Sequence, residues 1–147
     1  MIKNLEEIDN NWWIYSPKSC SIKDMQHKTI KAIHREDNER LWFLTIDNYL
    51  FLMYHEQDCC ESVEIEDICG DLEDLIDTPI IIAEERTEEG DGSTWESSTW
   101  TFYELQTLKG DVTIRWYGTS NGYYSETADM YFFSPEDVLR AGVTCQE

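Results

Sequence analysis

Apolar positions along the chain recur mostly with period two, the spacing of a strand that buries one face. Segment 62–66 sets Val63 and Ile65 against Glu64 and Glu66. Segment 99–105 alternates, and in 112–116 Val112, Ile114 and Trp116 share a face. Two continuous apolar runs, 41–46 and 49–55, are separated by Asp47-Asn48, which predicts two strands joined by a tight turn. Pro79 opens a buried strand at 80–83, and the polar stretch 84–98, with its Glu-Glu-Gly-Asp-Gly-Ser, predicts a mobile loop. Lys109-Gly110-Asp111 and Asn121-Gly122 predict turns, with a returning strand at 124–133.

Helical signals are few and short. Asp71 is placed to cap a single turn over 71–76. Ser134 as N-cap, Pro135 at the first helical position and Asp137 at the third start a helix at 134–140. Segment 21–34 fits a short helix or turn followed by a strand at 29–34. The sum is an α+β fold, predominantly antiparallel β, with about seven meander-like strands and two or three short helices. The 147 residues make one domain.

Charge changes this picture more than composition does. The net charge is −20, and it is unevenly placed. Residues 1–40 hold seven basic and seven acidic groups, whereas 41–85 hold thirteen carboxylates and no Lys or Arg. Because those acids alternate with core-forming residues, disorder does not explain them. Such a chain is disfavoured on nucleic-acid phosphates and anionic membranes and favoured on a basic partner. No run approaches a membrane span and the first residues lack an apolar signal core, so the expectation is a cytoplasmic protein. Five cysteines, an odd number without framework spacing, read as reduced thiols.

Within the acidic stretch, His55, Cys59, Cys60 and Cys69 are the candidate metal ligands. Thiolates and imidazole suit zinc, which these residues could take, but the expectation is no cofactor. The spacing lacks a C-x2-C knuckle, and neighbours in a strand point to opposite faces, so burial as small hydrophobes is the preferred reading. Asp67, Asp71, Glu73 and Asp74 lack the EF-hand pattern and read as a solvated acidic face. Cys59 or Cys60 with His55, or with His27 or His34 from elsewhere, could serve nucleophilic chemistry, but no nucleophile elbow or phosphate loop is present. Trp116, Tyr117, Asn121 and Tyr124, with Ser125, could form a stacking pocket for a base or nucleotide. Cross-strand packing in a hairpin is preferred for them.

Several motifs together resemble a small uncharacterised domain family of bacterial and phage proteins. They are His55-x-Gln57-Asp58-Cys59-Cys60-Glu61-Ser62-Val63, Glu66-Asp67, Gly70-Asp71 and Asp74-Leu75. In the second half they are Trp100-x-Phe102-Tyr103, Lys109-Gly110, Ile114-x-Trp116-Tyr117-Gly118 and Ser120-Asn-Gly-Tyr-Tyr-Ser125. The resemblance covers about residues 29–133, leaving 1–28, with Trp12 and Trp13, as an extension and 134–147 as a short helix and tail. It implies a compact domain, a phage or prophage context, host cytoplasm as the location, and no assigned activity.

These readings converge on an acidic, non-enzymatic binding or inhibitor protein. It would engage a basic host protein, such as a nucleic-acid-dependent defence enzyme, through Glu61, Glu64, Glu66, Asp67, Asp71, Glu73 and Asp74. The alternatives are a zinc-stabilised structural domain and a small-ligand protein or enzyme using the 116–125 turn. Nucleic-acid mimicry by charge further requires those acids to gather on one face.

Overall fold

The computed structural model describes residues 2–55, 61–90, 97–120 and 127–145, without the side chains of Glu61 and Ser97. Among the described residues eleven strands form three antiparallel sheets. The first strand, β1 (Ile2–Lys3), leads into the short helices α1 (Leu5–Asp9) and α2 (Trp12–Tyr15) and the two-residue strand β2 (Lys18–Ser19). A 3-10 turn at Ile22–Met25 precedes β3 (Ile30–Glu36), β4 (Arg40–Thr45), β5 (Leu50–Tyr54) and β6 (Glu61–Cys69). A second 3-10 turn, Leu72–Leu75, leads to β7 (Ile82–Glu89), β8 (Ser97–Gln106), β9 (Asp111–Ser120) and β10 (Asp129–Phe133). Helix α3 (Pro135–Ala141) and β11 (Thr144–Cys145) close the described chain.

The continuous apolar runs of β4 and β5 are continuous because both faces of their sheet are buried. That five-stranded sheet runs in the order β2-β10-β5-β4-β3. One face, with Leu41, Phe43, Phe51, Met53 and Met130, meets Val63, Ile65, Tyr103, Leu105, Ile114 and Trp116 of the four-stranded sheet β6-β9-β8-β7. The Trp116 indole N–H donates across this layer to Met53 Sδ at 3.1 Å, the handle a buried indole requires. The other face, with Trp42, Leu44, Leu50, Leu52 and Phe133, is covered by Leu5, Ile8 and Tyr15 from the N-terminal helices and by Val138 and Ala141 of α3. The β1–β11 pair ties the two chain ends together on that side. The result is three layers: helices, five-stranded sheet, four-stranded sheet.

Two sequence expectations are corrected here. The strand count exceeds seven because three two-residue strands (β1, β2 and β11) carry too little pattern to be read. The polar segment after Ala83 is strand as far as Glu89, because β8 supplies a full ladder from Ile82↔Gln106 to Glu89↔Thr99. Residues 91–96 and the turn at Asn121-Gly122 lie outside the described residues. The Asp47-Asn48 turn is present, with Asn48 in the left-handed region that its side chain tolerates. Ser134 caps α3 by accepting the Asp137 amide, with Pro135 beside it.

Candidate functional site

Among the described residues, helices cover only the five-stranded sheet and leave the outward face of the four-stranded sheet open. Period-two alternation decides what it carries. Along β9, Val112, Ile114 and Trp116 point inward, and Asp111, Thr113, Arg115, Tyr117 and Thr119 point outward. The register then assigns the neighbours. Tyr117 faces Glu64 on β6 and Trp100 on β8, and Trp100 faces Glu88 on β7. One rung further on, Arg115 faces Asp67 and Phe102, and Phe102 faces Arg86. Beyond that lie Cys69, Thr113, Glu104 and Glu84. Glu66 shares the face of Glu64 by alternation, and a bulge between Ile65 and Asp67 brings Asp67 onto it as well.

This face combines aromatic rings, arginines and carboxylates. Trp100 and Tyr117 lie with ring centroids 4.3 Å apart. The Arg115 guanidinium sits 5.3 Å above Trp100 and pairs with Glu66 at 2.9 Å and Asp67 at 3.7 Å. Arg86 sits 4.1 Å above Phe102 and pairs with Glu88 at 2.5 Å and Glu104 at 3.5 Å. Seven carboxylates (Glu64, Glu66, Asp67, Glu84, Glu88, Glu104, Asp111) against two arginines leave −5. From strand spacing and rise, four strands of ten residues present an area on the order of 600 Å². The face therefore averages one net charge per ~120 Å², whereas the smooth envelope of a 147-residue domain, a sphere of roughly 4,500 Å², averages one per ~220 Å² for a net charge of −20. Duplex DNA, taken as about 20 Å across with a charge every ~1.7 Å of axis, presents one per roughly 100 Å².

The seven carboxylates expected from sequence to bind a partner divide into three groups. Glu64, Glu66 and Asp67 reach the open face. Asp71 caps the 3-10 turn by accepting the Glu73 amide, and Asp74 packs against Gly110 at the end of the sheet. Glu73 lines a groove of about 250 Å³ beside Lys31 and Arg35, away from the face. The side chain of Glu61 lies outside the described residues. The sequence reading missed Trp100, Phe102, Glu84, Glu88 and Glu104. Folding 99–105 onto 112–116 about the Lys109-Gly110 turn would have found the two aromatic residues.

The candidate metal ligands are not all brought together. The His55 ring is buried, with Nδ1 2.8 Å from the Thr127 carbonyl oxygen and 3.8 Å from Asp129. Cys69 is exposed at the other end of β6, eight residues and ~26 Å of strand from position 61. Cys59 and Cys60 lie outside the described residues. Among the described residues no group of three or more His, Cys, Asp or Glu side chains is placed to hold a metal ion. The proposed stacking pocket is likewise divided. Trp116 is sealed in the core while Tyr117, its neighbour, points to the opposite face; Asn121 and Tyr124 lie outside the described residues.

A second group of ionisable side chains surrounds a cleft of about 120 Å³ lined by Cys20, Glu85, Tyr103 and Asp129. Burial, aided by Asp24, pushes the Cys20 thiol up to about 12. Burial also raises Tyr103 far above an ordinary phenol, with Glu85, Asp129 and Cys20 adding to the effect. Burial raises Glu85 as well. Each shift favours the neutral form, which is the opposite of activating a thiol or phenol as a nucleophile.

The open face and most of the sandwich behind it fall within a single family match. The chain belongs to DUF7448, a domain family of unknown function. The match runs over residues 23–130. DUF7448 thus takes in the 3-10 turns, β3 to β9 and the start of β10, and with them every residue of the open face. Helices α1, α2 and α3, which complete the second core, lie outside it. No curated protein and no solved structure matches the chain. Among the described residues no helix is long and apolar enough to cross a membrane.

Proposed function

We propose that this protein is a non-enzymatic binding protein that takes a basic protein partner on the open face of its four-stranded sheet. The observation that carries the reading is charge density: −5 on a face that no described segment covers, about twofold denser than the average over the molecule's envelope. The aromatic residues at its centre support contact as well as steering, because buried aromatic anchors dominate interface energetics. A like-charged pair lies directly across the β7–β8 ladder, Glu84 opposite Glu104. Such a pair weakens a sheet by ~0.2–1 kcal/mol, offset on the Glu104 side by Arg86 at 3.5 Å. In the same reading the protein is phage or prophage encoded, acts in the host cytoplasm, and inhibits a host enzyme whose basic groove otherwise holds nucleic acid.

The test compares two sets of neutralised carboxylates that change net charge equally. One set, Glu64→Gln, Glu88→Gln and Glu104→Gln, lies on the open face. The other, Glu6→Gln, Glu7→Gln and Glu136→Gln, lies on the helical layer. A fluorescent arginine-rich 12-residue peptide is titrated at low and at physiological salt. The face set is expected to weaken binding about tenfold and the helical set by less than about twofold, because charges beyond a Debye length of ~10 Å are screened. Equal losses from both sets would show that overall charge, not this face, binds the peptide.

A further inference from the structure

Among the described residues three aromatic rings stand on the open face, and two of them already carry a guanidinium. Arg115 lies over Trp100 and is held by Glu66 and Asp67. Arg86 lies over Phe102 and is held by Glu88 and Glu104. Each is the same device: a ring beneath, carboxylates at the edge and a planar cation between. The third ring, Tyr117, has the same surroundings without the cation. Glu64 sits directly across the ladder from it, exposed, and makes no ion pair among the described residues. Trp100 supports Tyr117 from the other side at 4.3 Å, which fixes the ring in place.

We infer that Tyr117 and Glu64 form a seat for an arginine side chain supplied by the partner. This rests on the reading of the open face as the binding surface, and it names what that surface recognises. Directly opposed residues on adjacent strands stand ~5 Å apart at Cβ, so a guanidinium lying over the Tyr117 ring reaches the Glu64 carboxylate. Arginine fits better than lysine, because a planar, weakly hydrated cation stacks on a ring and forks to a carboxylate at the same time. A second copy of this chain is a poor occupant, since two molecules of net charge −20 repel.

The experiment uses the full chain and two labelled 12-residue peptides of equal charge, one rich in arginine and one in lysine, titrated by fluorescence anisotropy. Wild type is expected to prefer the arginine peptide by about fivefold, within the range of one partly desolvated cation–π contact. Tyr117→Leu removes that preference while leaving the lysine peptide and the salt dependence unchanged, and Tyr117→Phe keeps it. Glu64→Gln weakens the arginine peptide about threefold, and as a change at an exposed residue it carries the test if Tyr117→Leu fails to fold. Unchanged preference in Tyr117→Leu, or in Glu64→Gln where Tyr117→Leu does not fold, overturns the seat. The acidic face would still stand if the neutralised face set weakens both peptides. Failure of wild type to bind either peptide overturns both.

Discussion

Replacing Ile8 by Ala tests whether the N-terminal segment is a structural layer or an appendage. Ile8 lies in α1, fully buried against the outward face of the five-stranded sheet, in the cluster of Trp42, Leu44 and Leu52. The change removes three carbons, worth about 2.4 kcal/mol at ~0.8 kcal/mol per buried methylene. The cavity adds to this, so the expected loss is about 3.5 kcal/mol, inside the ~2–5 kcal/mol range for such truncations. With a urea m-value of about 1.7 kcal/mol/M, the unfolding midpoint should fall by roughly 2 M. Trp13, four-fifths exposed on α2, is the control: Trp13→Ala should change stability by less than about 0.5 kcal/mol. Both midpoints come from far-UV circular dichroism. A fall below about 0.5 M for Ile8→Ala, or a larger fall for Trp13→Ala, would mean that the helices do not cover the sheet.

Gly70 holds φ near 104°, and a Cβ there would meet the Asp111 carbonyl oxygen. Gly70→Ala should therefore lower stability by about 2 kcal/mol or more in the same urea assay. Cys69 is exposed and Cys20 is held up to about 12, so iodoacetamide at pH 8 with peptide mapping should label Cys69 well before Cys20. The raised Cys20 value also fixes a sign. Its contribution to stability is complete below the ordinary thiol value of 9.0 and is lost as pH rises from there toward about 12, which urea midpoints across that range would show. Glu84→Thr relieves the repulsion with Glu104, so it should raise the melting temperature slightly while weakening the arginine-rich peptide. Loss of both stability and binding would show that Glu84 has a structural role instead.

The hairpin of β4 and β5 was legible because two long apolar runs on either side of Asp47-Asn48 admit few other structures. What covers their second face was not. Leu5, Ile8, Trp12 and Tyr15 follow a helical spacing, but Asn10-Asn11 interrupts it and each helix is too short to declare itself. The outer half of β7 was illegible for a different reason. From Glu84 to Glu89 both faces are exposed, so no alternation exists to read, and only pairing with β8 makes it a strand. The candidate face was half legible. Glu64 and Glu66 were placed on one side of β6 by alternation. Trp100 and Phe102 were hidden because Tyr103 puts an aromatic residue on the opposite side of the same strand. The bulge at Glu66 depends on pairing with β9 and leaves no mark on the sequence.

If the open face binds basic partners, amide chemical-shift perturbation on the 15N-labelled protein will locate the arginine-rich peptide there. Shifts are expected to centre on Glu64, Tyr117, Trp100 and Glu88, fade toward Cys69 and Thr113, and leave α1 and α3 unchanged. Shifts centred on the helical layer, or spread evenly over the acidic surface, would contradict binding at this face.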